Sequence, residues 1–321
     1  MTWNEYDARM NRRLLSLGLV TLIGTSLSLA ALGQHSQSDD RLNPMIKLHE
    51  QGLPVFGLQA PGGRDGASSA QRAAETLGFI WTDYVYDGSM EAAVDGRLLS
   101  FLEYIEAMGA AGASARTHPL VVKTPKIARR GTAAINNISR QLNAGASGIV
   151  FVGVESAEEV RRGLTVMRFR SKGGTRPDDV GDAPAYWGLT EMEYRTRADP
   201  WPLNPDGELI NWAIVESLEG LQNVREIAAV EGLGVLFAGA NTLREVFSTT
   251  GAGGGRILDE VRWEGAIQKV LAACHEFHLP CGYPPNENDV EERLRQGFSV
   301  FLGAGERGFS TIDIGRRAAG R

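Results

Sequence analysis

Trp212-Ala213-Ile214-Val215-Glu216 is an apolar run that closes on a carboxylate, and a second apolar run, Gly234 to Gly239, follows one helix later. In a parallel α/β fold the C-terminal ends of strands open into the crevice where ligands bind, so a glutamate there is a candidate metal ligand or acid/base. Reading the ends of the other apolar runs in the same way gives Gln59, Asp87, Lys123, Glu155, Asn241 with Thr242, and Tyr283 with Asn286. Asp87, Lys123 and Glu216 on one rim have the chemistry of a metal-assisted carbonyl site: a carboxylate to hold a divalent cation, and an ammonium to steady a developing enolate. Blander readings stand beside these. A glutamate ends many strands because the strand has reached solvent, Asp87 ahead of Gly88 and Ser89 could cap a helix, and Lys123 could pair with Glu155 or Glu216.

The elements that must carry these residues are legible as short apolar runs alternating with helical patterns. Eight runs occur: Val55–Leu58, Trp81–Tyr86, Leu120–Lys123, Gly148–Gly153, Trp212–Glu216, Val235–Gly239, Pro280–Tyr283 and Ser299–Gly303. Between them Ser156–Val166, Leu218–Ala229 and Trp263–Phe277 place apolar residues at three- and four-residue intervals. This alternation predicts a parallel sheet, and eight repeats favour closure into a single (β/α)8 TIM-type barrel over an open sheet. Ser156 with Glu159 forms a capping-box pattern, and Ser217 and Asn286 are weaker N-cap candidates. One connection breaks the rhythm. Residues 170–208, between strands 4 and 5, are long, aromatic and aperiodic, which reads as an ordered lid or a subunit contact over the barrel mouth. Its basic Gly-containing stretch, Ser171 to Pro177, could cradle an anion or be a solvated turn.

The 321 residues, 43% of them hydrophobic and 39 of them glycine, suit a globular chain with many tight turns. Leu14 to Gly33 is uncharged and follows Arg12 and Arg13. That pattern reads as a secretory signal, with Ala31 and Gly33 ahead of a cut before Gln34, or alternatively as a retained membrane anchor. The organisation expected is a signal over 1–33, a flexible lead-in over 34–48, and the barrel over 49–321, in an exported, periplasmic protein. Cleavage would remove three arginines and two acidic residues, taking the formal charge from -6 to -7. An acidic mature chain argues against a nucleic-acid partner or an anionic membrane surface. Cys274 and Cys281 are the two cysteines; a disulfide is possible, and two separate buried thiols are the favoured reading.

A family resemblance enters through the middle of the chain. Val215-Glu216-Ser217-Leu218-Glu219-Gly220-Leu221-Gln222-Asn223, followed by Ala229-Val230-Glu231-Gly232-Leu233-Gly234-Val235-Leu236-Phe237-Ala238-Gly239, resembles the HpcH/HpaI-type class II aldolase and citrate lyase family. Upstream, Asn143 to Val150 and Glu155-Ser156-Ala157-Glu158-Glu159 resemble a second segment of that family. The resemblance implies a (β/α)8 barrel, a homo-oligomer (hexamer or trimer), a small carboxylic acid as substrate, and a divalent cation, Mg2+ or Mn2+. It places Glu216 on the first metal-binding carboxylate. The second such carboxylate is replaced by Thr242, with Asn241 beside it, so the implied metal set is Glu216, Asn241 and Thr242. Gly239, Ala240 and Arg176 fall where the family contacts substrate. Met90 stands where the family has a catalytic histidine, and Lys123 where it has an arginine. The resulting expectation is a carbon–carbon lyase acting on a 2-oxo or hydroxy acid, with Asp87 and Lys123 catalytic. The changed residues leave two alternatives: a non-catalytic periplasmic binding protein, or a lyase or hydratase with another base such as Tyr86 or Tyr283.

Overall fold

A computed structural model describes residues 41–62, 68–128, 131–251 and 254–321. The expected signal over 1–33 and residues 34–40 of the lead-in lie outside the described residues. Residues Leu42–Arg321 form one compact unit, and no described helix is long and apolar enough to cross a membrane.

Eight parallel strands close into a barrel: β1 (Val55–Gln59), β2 (Tyr84–Asp87), β3 (Leu120–Thr124), β4 (Gly148–Phe151), β5 (Leu209–Val215), β6 (Val235–Ala238), β7 (Cys281–Tyr283) and β8 (Val300–Gly303). Each pairs with its sequence neighbours; β8 returns to β1 with Phe56 opposite Phe301, and β4 meets β5 with Val150 opposite Trp212. All eight runs expected from the sequence are therefore strands of one (β/α)8 barrel.

Side chains alternate across such a sheet, and the sequence uses both faces. Outward residues such as Phe56, Val85, Val122, Ile149, Phe151 and Leu236 pack on the helical layer. Inward ones, including Tyr84, Tyr86, Val121, Val150, Trp212 and Phe237, fill the lumen. Trp212 stacks on Phe237 at 5.5 Å and meets Tyr84 edge-on at 5.2 Å. Glycines make room for this aromatic stack: a Cβ at Gly57 would sit 2.2 Å from the Tyr84 ring, and one at Gly282 2.1 Å from Phe237.

Helices α1 (Pro44–Glu50), α2 (Ser69–Leu77), α3 (Leu98–Ala110), α4 (Gly131–Asn143) and α5 (Ala157–Met167) accompany the first four strands. The first of them replaces a flexible lead-in by a helix in the described part of 34–48, from Pro44 on. Asn43 caps α1 through its side chain, Pro44 begins it, and Met45 and Ile46 are fully buried against Val55, Tyr84, Trp212 and Val300. The helix thus plugs the floor of the barrel, where strands begin. It is pinned by Asn43, whose backbone N–H donates to the Glu208 carboxylate at 2.9 Å and whose side chain donates to the Glu208 carbonyl at 3.2 Å. The chain's far end is fastened too, since Arg321 pairs with buried Asp83 at 2.7 Å.

His49, near the end of α1, stacks on Trp201 at 5.8 Å. Burial pushes its imidazole down to about 4, against a smaller upward pull from the Asp83 carboxylate. The folded state thus prefers the neutral ring, so its contribution is complete above about pH 6.5 and is lost as pH falls towards 4, by up to about 3 kcal/mol. Denaturant midpoints taken from pH 7 to 4 should fall more steeply for wild type than for His49→Gln.

The long connection forms α6 (Ala183–Trp187), α7 (Glu191–Arg197) and a short strand, Pro200–Trp201, beside the start of β5. It does not cover the mouth. Tyr186 donates to the His118 carbonyl at 2.9 Å and Trp187 to the Gly145 carbonyl at 3.0 Å, and both acceptors precede strands. The reason is topological: the excursion follows a helix, so it leaves from the end of the barrel where helices finish and strands begin.

In the second half α8 (Leu218–Gln222) and α9 (Val224–Ala228) divide the single helix expected over 218–229, meeting at Asn223, whose side chain donates to the Glu155 carbonyl at 2.8 Å. Next come α10 (Ala240–Val246), α11 (Glu260–Glu276), α12 (Val290–Gln296) and α13 (Gly308–Ala318). Ser156 and Ser217 cap their helices as expected, whereas α12 starts after Asp289 rather than Asn286. Glu159 turns its carboxylate to the Glu155 N–H, one residue earlier than a capping box requires.

Cys274 and Cys281 form a disulfide, not two separate thiols. The turn from α11 into β7 brings their Cα atoms to 5.6 Å, within the range a disulfide spans. Denatured protein should show no free thiol until reductant is added, and Cys274→Ala/Cys281→Ala should lose about 2–3 kcal/mol of unfolding free energy for so short a loop.

Candidate active site

At the C-terminal end of the barrel lies a cavity of about 770 Å3, and Asp87, Lys123, Glu216, Gly239, Asn241 and Thr242 all line it. Glu216 follows β5 directly. Its Oε1 accepts the Gly153 N–H at 2.9 Å and its Oε2 accepts the Thr242 hydroxyl at 2.7 Å. Gly153 can aim its N–H inward because its φ of 54° lies in the left-handed region, which glycine enters without strain. Gly239 is required for a different reason: a Cβ there would stand 2.5 Å from the Glu216 Cβ. The glycine makes room for the carboxylate, a role distinct from the substrate contact expected of it.

Lys123 points into the lumen from the end of β3, two residues beyond inward-facing Val121. Its Nζ donates to Glu91 Oε2 at 2.9 Å, and its side chain is 19% exposed. Its backbone carbonyl accepts from Gln141 Nε2 at 2.7 Å, tying the strand end to α4. The partner is thus Glu91, neither Glu155 nor Glu216; Glu155 pairs with Lys126.

Asp87 ends β2 one residue past inward-facing Tyr86, so it faces the helical layer. It is 3% exposed, accepts Arg72 Nη2 at 2.9 Å and takes the Ser89 N–H at 2.7 Å. Arg72, on α2, also donates to the Pro61 carbonyl at 2.8 Å and lies 4.7 Å over the Tyr104 ring. The aspartate therefore builds the cavity wall through a buried ion pair. Met90 is fully buried in the core.

Two expected substrate contacts are not brought to the cavity. Arg176 is fully buried in the floor-side excursion, where it donates to Asn143 at 2.8 Å and Tyr194 at 3.1 Å and stacks 4.1 Å from Phe169. Ala240 is buried at the start of α10, and its carbonyl accepts the Trp263 indole N–H at 2.9 Å.

Other lining residues carry chemistry: Tyr86, Glu91, Arg72 and Arg97. Burial, then the carboxylates of Glu91, Glu216 and Asp87, holds the Tyr86 phenol well above its ordinary value, so it remains a protonated donor. Arg72, Glu91 and Arg97 escape a reading confined to strand ends because they sit on α2 and on the loop after β2.

Hard divalent cations favour sets of several charged oxygens. Here both oxygens of the Glu216 carboxylate already accept hydrogen bonds, the Thr242 hydroxyl points its proton at that carboxylate, and Asn241 adds only a neutral amide. Among the described residues no three His, Cys, Asp or Glu side chains cluster where they could hold a metal. This donor set does not fit a tightly resident dication.

Comparison with known proteins agrees with the architecture. The HpcH/HpaI aldolase/citrate lyase family profile matches residues 105–312. A hydroxypyruvate/pyruvate aldolase of Paraburkholderia phytofirmans is 27% identical over 197 residues, 61% of this chain and 67% of that protein. The crystal structure of an HpcH/HpaI aldolase/citrate lyase family protein from Burkholderia cenocepacia superposes with a TM-score of 0.63 at 21% identity, covering 86% of this chain and 97% of the other. Protein CitE from Mycobacterium tuberculosis, crystallised with magnesium and acetate, gives 0.51 at 15% identity, over 84% and 92% of the two chains. A barrel with its cavity at the C-terminal strand ends, and a profile match over well more than half of the chain, lead to one assignment: this chain belongs to the HpcH/HpaI aldolase/citrate lyase family.

Proposed function

We propose that the protein is an aldolase-type carbon–carbon lyase acting on a small 2-oxo or hydroxy carboxylic acid. The observation that carries this reading is the convergence of Lys123 and Glu216 on one cavity at the C-terminal end of the barrel. A sheltered ammonium there attracts a carboxylate and steadies negative charge developing on the adjacent carbonyl oxygen. Glu216, held in one orientation by Gly153 and Thr242, is placed to take the proton of the substrate hydroxyl as the carbon–carbon bond breaks. Protonated Tyr86 supplies a hydrogen bond from the lumen side. Asp87 positions this rim through Arg72.

Purified protein offered 4-hydroxy-2-oxo acids should release a 2-oxo acid, and turnover should survive a strong chelator, because no step above passes through a metal ion. Stabilisation of the fold by oxo acids with no turnover would replace the lyase by a binding protein. Turnover abolished by chelator and restored by Mg2+ or Mn2+ would return a cation to Glu216. We also place the mature protein outside the cytoplasm, a reading supported by the Cys274–Cys281 disulfide; detection of the protein in the cytosolic fraction alone would overturn it.

A further inference from the structure

Carbon–carbon cleavage beside a carbonyl needs somewhere for the bonding electron pair to go. Of the carboxylates that line the cavity, Glu216 is already hydrogen-bonded at both oxygens, Asp87 is committed to Arg72 and Glu91 to Lys123, so a dication is not provided for. Arg72 is committed to Asp87 and to the Pro61 carbonyl. Lys123 differs from both. It is a primary amine pointing into the lumen, it lines the cavity, four-fifths of its side chain is sheltered, and its one described anionic partner is Glu91, 2.9 Å away. An amine can do what a guanidinium cannot: become covalently attached to a carbonyl carbon.

We propose that Lys123 forms an imine with the C2 carbonyl of a 2-oxo acid, and that this iminium takes the place of a metal as the electron sink. The inference rests on the aldolase reading of the same cavity. Glu91 takes one proton from the ammonium, and the free amine adds to C2, one of its remaining protons passing to the carbonyl oxygen to give the neutral carbinolamine. The carbinolamine hydroxyl leaves as water, receiving the proton held by Glu91, and the iminium remains. Cleavage of the C3–C4 bond then sends its electron pair into a C2–C3 double bond while the iminium nitrogen becomes a neutral enamine nitrogen. The C4 hydroxyl proton passes to Glu216 and C4 departs as an aldehyde. Glu216 returns that proton to C3, and water hydrolyses the iminium, releasing the 2-oxo acid and restoring the amine. No oxidant or reductant is consumed.

The experiment is reductive trapping. The full protein is incubated with pyruvate and a chelator, reduced with sodium cyanoborohydride, digested and mapped by mass spectrometry, with retro-aldol turnover measured in parallel. The expected result is a reduced pyruvate adduct on the peptide containing Lys123, at least tenfold more abundant than on any other lysine, with turnover lost in proportion. Lys123→Arg keeps the positive charge opposite Glu91, so it should fold, form no adduct and lose turnover by at least a hundredfold. Chelator-resistant turnover without an adduct, or with Lys123→Arg still active, would overturn the imine and leave the lyase reading standing. An adduct on Lys123 without turnover of any hydroxy-oxo acid keeps the imine and removes the lyase. Modification spread evenly over surface lysines overturns the proposal.

Discussion

Glu216→Gln is expected to lower kcat/KM for retro-aldol cleavage by about 10^2- to 10^4-fold, the range that positioned proton transfer supplies, while leaving the fold intact. The substitution is nearly isosteric, so Gly239 still accommodates the side chain that follows β5. What it removes is specific. A glutamine offers one carbonyl oxygen where the carboxylate offers two, so it can accept from Gly153 or from Thr242 but not from both. Neither arrangement can receive a proton from a substrate hydroxyl. A fall confined to kcat, with KM for the oxo acid held by Lys123 little changed, is the pattern for a group acting in the transition state. An unchanged kcat would mean that Glu216 only shapes the rim and that the base lies elsewhere, with Glu91, which also lines the cavity, the next candidate.

Asp87→Ala should be destabilising by about 3–5 kcal/mol, the usual result of breaking a buried ion pair from one side. The two side chains are 5% and 2% exposed, so the Arg72 guanidinium left behind would be poorly solvated in place of its partner. It would keep the Pro61 carbonyl and the Tyr104 ring, neither of which carries a compensating charge. The Ser89 N–H would also lose its acceptor. Replacing both partners, as in Arg72→Leu/Asp87→Leu, should recover much of the loss, because no isolated charge remains in the interior. Urea unfolding of the two single variants and the double variant would close this cycle. If Asp87→Ala proved as stable as wild type but inactive, the aspartate would be a proton carrier, as strand-end position alone first suggests.

The barrel was legible because burial on both faces leaves strands as near-continuous apolar runs, and Trp212 to Val215 or Val235 to Ala238 admit little else. Glu216 and Lys123 were legible for a related reason: they are the polar residues at which inward-facing positions stop being apolar. Asp87 shows where that reasoning is coarse. It adjoins Tyr86, and a shift of one residue turns a side chain from the lumen to the helical layer. Arg176 lies on the floor side because its connection leaves from the end of the capped helix Ala157–Met167, a direction that family spacing alone does not carry. The helix at Pro44 also carried a local signal, an asparagine cap before proline, hidden in a stretch otherwise polar. The disulfide was not readable, since seven residues of separation fix neither the direction nor the meeting of two thiols. Gly153, whose N–H holds Glu216, announces itself only once the backbone conformation is known.

The floor plug sets the order of synthesis against the order of assembly. Helix α1 is made early, yet its capping residue Asn43 finds its partner only when Glu208 arrives, 165 residues later. Asp83 waits still longer, for Arg321, 238 residues on. Until then a nascent chain carries Met45 and Ile46 on a short helix with no seat, and a barrel with no closing strand. Contacts this distant in sequence slow folding and delay the burial of sticky surface. The helix on the barrel floor is thus made early and housed late, and a truncated product should be recognised by proteases through Pro44–Glu50 rather than through its later helices.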